Sequence, residues 1–106
     1  MAEADKSVVD YFKPENMLYI NVANNISIDC DCDNNPKDPE IADIGIFASL
    51  DPVALDKCCY DTIMNLTEEG ANSLKMRMLD RHAIHTVEEA EKLGLGTTKY
   101  ELVRID

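Results

Sequence analysis

The sequence predicts an α/β fold, with a mixed sheet of three to four strands and about four helices in a single domain spanning residues 1–106. Three observations carry that expectation. Two short apolar runs, Met17–Ala23 (MLYINVA) and Asp43–Ser49 (DIGIFAS), read as strands. Segments of helical period with recognisable start and stop residues fill much of the remainder. The resulting order of strand, loop, strand, three helices and closing strand is that of a mixed layer structure.

Taken in order, Ala4, Val8, Tyr11 and Phe12 fall on one face of a short first helix, which Pro14 should stop. The strand Met17–Ala23 follows. From Asn24 to Ala42 the composition shifts to Asn, Asp and Pro without helical periodicity, a length of loop that compact domains seldom carry without a use for it. The strand Asp43–Ser49 runs directly into a helix start, where Asp51 can accept from free N–H groups and Pro52 suits the first turn. Leu55, Cys59, Thr62, Ile63 and Leu66 then recur at helical spacing, which places Cys59 in the core. Thr67 is a candidate cap for a further helix with Ala71, Leu74, Met78 and Leu79 on its apolar face. Thr86 and Glu89 have the spacing of a capping box, and Gly94 is placed to end that last helix. Tyr100, Leu102, Val103 and Ile105 make the closing strand.

Charge narrows the function classes. With 21 acidic against 10 basic side chains the net charge is −11, and no local Lys/Arg cluster offsets it. A phosphate backbone or an anionic membrane is repelled by such a surface, so neither nucleic acid nor membrane is an expected partner. No apolar run approaches the ~20 residues needed to span a bilayer, and the N-terminus MAEADKSVVD lacks the basic and apolar regions of a secretory signal. The expected location is cytoplasmic, where the four cysteines would be thiols or metal ligands.

The most pointed chemistry lies in SIDCDCDNNPKDPE, Ser27 to Glu40. Ile26, Ile28, Cys30 and Cys32 alternate with Ser27, Asp29, Asp31 and Asp33, so in an extended chain both sulfurs share one face. One reading is a half-buried strand that uses cysteine as a small hydrophobe. A second is a soft-metal site, because alternate strand residues about 6.5 Å apart can converge on one ion with Zn–S bonds of about 2.3 Å. Two thiolates leave such a site incomplete. Of the two histidines, His82 falls near the apolar face of its helix, whereas His85 precedes the Thr86 cap in a turn and is the better third ligand, with zinc or iron as the candidate ion. A third reading is a calcium loop, since Asp29, Asp31, Asp33 and Glu40 occupy its first, third, fifth and twelfth places. Asn34 in place of glycine, Pro36 within the loop and no entering helix all count against it. Cys58 and Cys59 are adjacent in a helix and diverge by about 100°, so they do not chelate together.

Three ordered strings, NNISIDCDCD, DIGIFASLDPVALD and HTVEEAEKLGLGTTKYEL, resemble the C-terminal part of the family known as domain of unknown function 362, from about Tyr11 onward. The resemblance implies that Cys30, Cys32 and His85 match recurring family positions without an established role. It also implies a fragment or short relative of a longer architecture, and an association with iron–sulfur proteins. The ferredoxin-type C-x2-C-x2-C-x3-C run that would hold a cluster is missing from this sequence.

Two functional expectations follow. The first is a metal-binding α/β domain of an iron–sulfur-associated redox family, using Cys30, Cys32 and His85. The second is a non-catalytic interaction or structural domain, whose apolar surface packs on a missing N-terminal segment, on a partner or on a second copy. Enzyme activity is left open: Ser49 and Asp51 sit where a strand runs into a helix, a usual ligand position in open sheets, but helix capping is the favoured account of them.

Overall fold

The computed structural model describes residues 2–28, 38–39 and 41–105. It contains helix α1 (Ala2–Phe12), strands β1 (Tyr19–Ala23) and β2 (Gly45–Ser49), and helices α2 (Pro52–Met64), α3 (Ala71–Asp80) and α4 (Ile84–Lys92). The class is mixed α/β with four α-helices, as the sequence implies. The sheet, however, has two antiparallel strands among the described residues rather than three to four.

Pairing runs from Tyr19 opposite Ser49 to Ala23 opposite Gly45. The expected closing strand is not formed. Residues 100–105 are exposed and unpaired as strand. Side-chain bonding ties the segment to α2 instead, through the Tyr100 hydroxyl donating to Asp61 Oδ2 at 2.8 Å. Ile26 to Ile28 also lie outside the ladder.

Helix α2 is the hub, packing on both strands, on α3 and on α4, while α1 packs on α4. Its start is built as the sequence predicts. Asp51 Oδ1 accepts from the N–H groups of Val53 and Ala54 at 2.9 and 3.0 Å, and Pro52 occupies the first turn. The Ser49 hydroxyl oxygen accepts from Asp51 N–H at 2.9 Å, which fixes the angle between strand and helix. Val53, Ala54, Leu55 and Cys58 form the buried stripe. Cys58, not Cys59, is therefore the core thiol: the stripe facing the strands follows Ala54 and Cys58, four residues apart, and Cys59 stands one position round the helix and is half-buried.

The first helix corrects a second expectation. Pro14 does end it, opening a 3-10 turn at Pro14–Asn16. Yet the buried residues are Ala2 and Val9, and Tyr11 is 80% exposed. Among the described residues α4 is the α-helix on which α1 mainly packs, so a single stripe is covered, and two turns separate the two residues that fill it.

A small cluster of Ile41, Ala71 and Leu74, with Ile63, Leu66 and Met78 around it, holds α3. Leu79, expected on that face, is exposed. The residue that precedes α3 as its cap is Gly70, not Thr67, and the free N–H groups of Ala71 and Asn72 bond instead to the carbonyls of Glu68 and Glu69. The turn into α4 passes through His82 at φ +52°, so α4 begins two residues before Thr86 and the anticipated capping box lies inside the helix. Its end matches expectation. Gly94 adopts φ +81°, its N–H bonds to Glu91 carbonyl, and Leu95 N–H reaches Ala90 carbonyl, the paired bonds of a Schellman motif.

Two stability changes follow. Leu55, 4% exposed, should cost about 2–5 kcal/mol on replacement by Ala, measured by denaturant unfolding; a loss under about 0.5 kcal/mol would mean that α2 is not the central packing element. Gly96→Ala should also destabilise, because its Cβ would stand 1.9 Å from Asp51 Oδ1 and displace a carboxylate that three N–H groups use.

Candidate functional site

Of the sequence-predicted metal ligands, His85 is described: it is exposed in the first turn of α4, and its backbone N–H bonds to the carbonyl of His82. His82 is likewise exposed in the preceding turn, not on an apolar helix face. Cys30 and Cys32 lie outside the described residues, as do Asp29, Asp31, Asp33 and Glu40 of the calcium pattern. Among the described residues no three His, Cys, Asp or Glu side chains are grouped to hold a metal ion. A four-cysteine cluster does not fit this chain, since two of its four cysteines are neighbours on α2 and one of them is buried beneath the sheet.

Ser49 and Asp51 are engaged in the strand-to-helix junction. Asp51 Oδ2 also accepts from Thr97 N–H at 3.0 Å, so this carboxylate is a structural tie. Beside it, Asn21 on β1 donates to Asp56 Oδ1 at 2.9 Å and reaches Cys59 Sγ at 3.5 Å. Burial pushes the Cys59 thiol up, against the lowering effect of that amide contact, so it is kept as a poor nucleophile.

Asp61 is the second polar tie. Lys57 donates to one oxygen and Tyr100 to the other, and the Lys57 hydrogen bond is the main cause that holds this carboxyl below its usual range. The hydrogen bond to Asp61 in turn pushes the Tyr100 phenol up to about 12.

The largest unexplained feature is apolar. Side chains alternate across a strand, and α2 covers the face that carries Tyr19, Asn21 and Ala23. The opposite face presents Ile20, Val22 and Ile46 at 58%, 62% and 69% exposure, with Ala48 also exposed opposite Ile20. Leu18 and Leu50, one residue beyond the paired ends, are exposed as well. The surface continues at both sides. Along β1, Leu18 and Ile20 join a cleft of about 460 Å³ floored by Val53 and Leu55 and walled by Val9 and Val87. Along β2, Ile46 and Ala48 join a groove of about 580 Å³ bounded by the 100–105 segment. Both volumes fall in the range of binding clefts, roughly 300–1,000 Å³. The run MLYINVA signalled strand and burial; it did not say that one of the two faces lacks a cover.

The Tyr100–Asp61 bond makes a pH prediction. A raised phenol stabilises docking of the 100–105 segment fully below the ordinary tyrosine value near 10, and that contribution is lost as pH rises through about 12. Spectrophotometric titration of the four tyrosines should show a latest step that Tyr100→Phe removes; an unchanged curve would show that the hydroxyl does not hold the segment.

No helix among the described residues is long and apolar enough to cross a membrane. No curated protein and no solved structure matches the chain. The family model described as Domain of unknown function (DUF362) matches residues 1–61, which takes in α1, both strands, the Cys30–Cys32 stretch and most of α2. The string from His85 to Leu102 lies beyond the match. More than half of the sequence is covered, and the chain belongs to the DUF362 family.

Proposed function

We propose that this domain is an interaction module whose uncovered sheet face docks an amphipathic helix of another polypeptide. The single observation that carries the proposal is the row of exposed aliphatic side chains, Leu18, Ile20 and Val22 beside Leu50 and Ile46, on one face of the ladder. A sheet with one apolar face reaches a stable layer arrangement by packing that face on helices, as α2 already does on the other side. Fully burying an aliphatic side chain contributes about 1.5–3 kcal/mol, so five side chains each roughly 60% exposed would supply on the order of 5–9 kcal/mol. That is comparable with the roughly 4–15 kcal/mol cost of association, which suits a reversible contact. A second copy is a poorer occupant, because two chains of charge −11 repel.

A neutral amphipathic leucine–glutamine helical peptide should bind, with amide shifts at Ile20, Val22 and Ile46. The variant Ile20→Lys with Ile46→Lys should weaken that binding at least tenfold while circular dichroism stays unchanged. Binding that is insensitive to the variant would overturn the proposal. So would a dimer in dilution-series sedimentation that the same variant dissociates, since the face would then belong to a second copy.

The soft-metal reading is a second proposal, with Cys30, Cys32 and His85 as ligands and zinc or iron as the ion. Exposure of His85 at the start of α4 supports it, since an imidazole there is accessible to an ion. Near-stoichiometric zinc or iron in protein purified anaerobically without an affinity metal column is the expected result, with loss in Cys30→Ser with Cys32→Ser. Metal content unchanged by that variant defeats the assignment.

A further inference from the structure

The cleft beside β1 has a chemistry that the exposed face does not. It runs along three consecutive strand residues, Tyr19, Ile20 and Asn21, on a strand that has β2 as its one ladder neighbour among the described residues. Its floor and walls are aliphatic, and its charged lining consists of two carboxylates, Asp5 on α1 and Asp56 on α2. Among the described residues no Lys, Arg or His side chain lines it. The cations nearest in sequence are engaged elsewhere: Lys6 pairs with Asp10, and Lys57 with Asp61. Both cleft carboxylates are exposed, so they can meet an incoming cation without a large desolvation cost.

We propose that this cleft receives an extended segment of another polypeptide, which adds to β1 as a third strand and carries Lys or Arg at alternate positions. The proposal rests on the reading of the domain as an interaction module and names a second element of the partner. Strand alternation sets the pattern. Side chains on one side of the added strand continue the apolar face of Leu18, Ile20 and Val22. Those on the other side point toward α2, where Asn21 already reaches Asp56, and there a basic side chain meets Asp56 and Asp5. Aliphatic stems of Lys or Arg also suit walls made by Val9, Val53 and Val87.

The test uses three short peptides of alternating valine with lysine, glutamine or glutamate, titrated into the intact domain and read by amide shifts and hydrogen exchange. The valine–lysine peptide should bind most tightly and slow exchange at β1. Replacing its alternate backbone N–H groups by N-methyl should abolish binding, which a purely electrostatic contact would survive. Asp5→Asn with Asp56→Asn should weaken it roughly fivefold or more, the scale of two exposed ion pairs. The charge-matched control Glu69→Gln with Asp80→Asn, both exposed on or beside α3, should leave it unchanged. Equal losses in the two variants would reduce the effect to net charge and overturn the assignment to the cleft. Equal binding of the glutamine peptide would overturn the basic preference, and tolerance of N-methylation would overturn strand addition. Failure of all three peptides while the leucine–glutamine helix still binds the face overturns this inference alone; failure of both kinds of peptide overturns the interaction reading too.

Discussion

The carboxylate of Asp51 is the constraint on which the remaining arrangement depends. One oxygen holds the first free N–H groups of α2, and the other holds Thr97 N–H in the segment that follows α4. With the Ser49 hydroxyl below it, this one side chain joins the end of the sheet, the start of the central helix and the exit of the last helix. Each bond is modest, with a cap contributing about 1 kcal/mol. Their value lies in geometry, because the same atoms fix the direction of α2 beneath the strands and bring the chain after Gly94 back across it. The close approach of Gly96 is what allows that return.

Placing α2 there covers one face of the ladder and leaves the other without a layer among the described residues. Among the described residues no further helix takes that role: α3 packs against the Ile41 cluster and α1 against α4. The aliphatic face, the cleft at β1 and the groove at β2 are thus one consequence of having a single helix behind two strands. The acidic excess of the whole chain works against pairing of such a surface with its own copy.

Much of this was legible in the residues. Asp51–Pro52 and Gly94 are signals whose physics is local, so their roles could be read from neighbours in sequence and the structure places them as read. The strands were legible too, with their last residues Ala23 and Ser49 as expected, although their starts were drawn two residues too early, at Met17 and Asp43. What failed depended on distant partners. Which stripe of α1 is buried is decided by α4, and which of Cys58 and Cys59 is buried is decided by where the sheet lies over α2. Thr67 and Thr86 carry good capping chemistry, but the turns through Glu68 and His82 supply backbone bonds that start α3 and α4 at other residues. The closing strand was inferred from its apolar residues alone, whereas a strand also needs a ladder partner, and Tyr100 ties this segment to Asp61 on α2 instead. The family was readable from NNISIDCDCD and DIGIFASLDPVALD, both within residues 1–61. Of the candidate ligand set, the structure describes His85 alone.

The two strands are joined by the whole stretch between Ala23 and Gly45, not by a tight hairpin turn. Pairing them is therefore a loop-closure event, and its entropic cost grows only with the logarithm of the connection: doubling the length costs about 0.6 kcal/mol. Register does not depend on the connection either, because the alternation of Tyr19, Asn21 and Ala23 toward α2 sets it. The connection also carries packing of its own, since Ile41 near its end is buried with Ala71 and Leu74. It also separates assembly into two stages. Strand β2 and helix α2 meet through neighbours in sequence, while β1 must arrive from far along the chain, the kind of contact that slows folding.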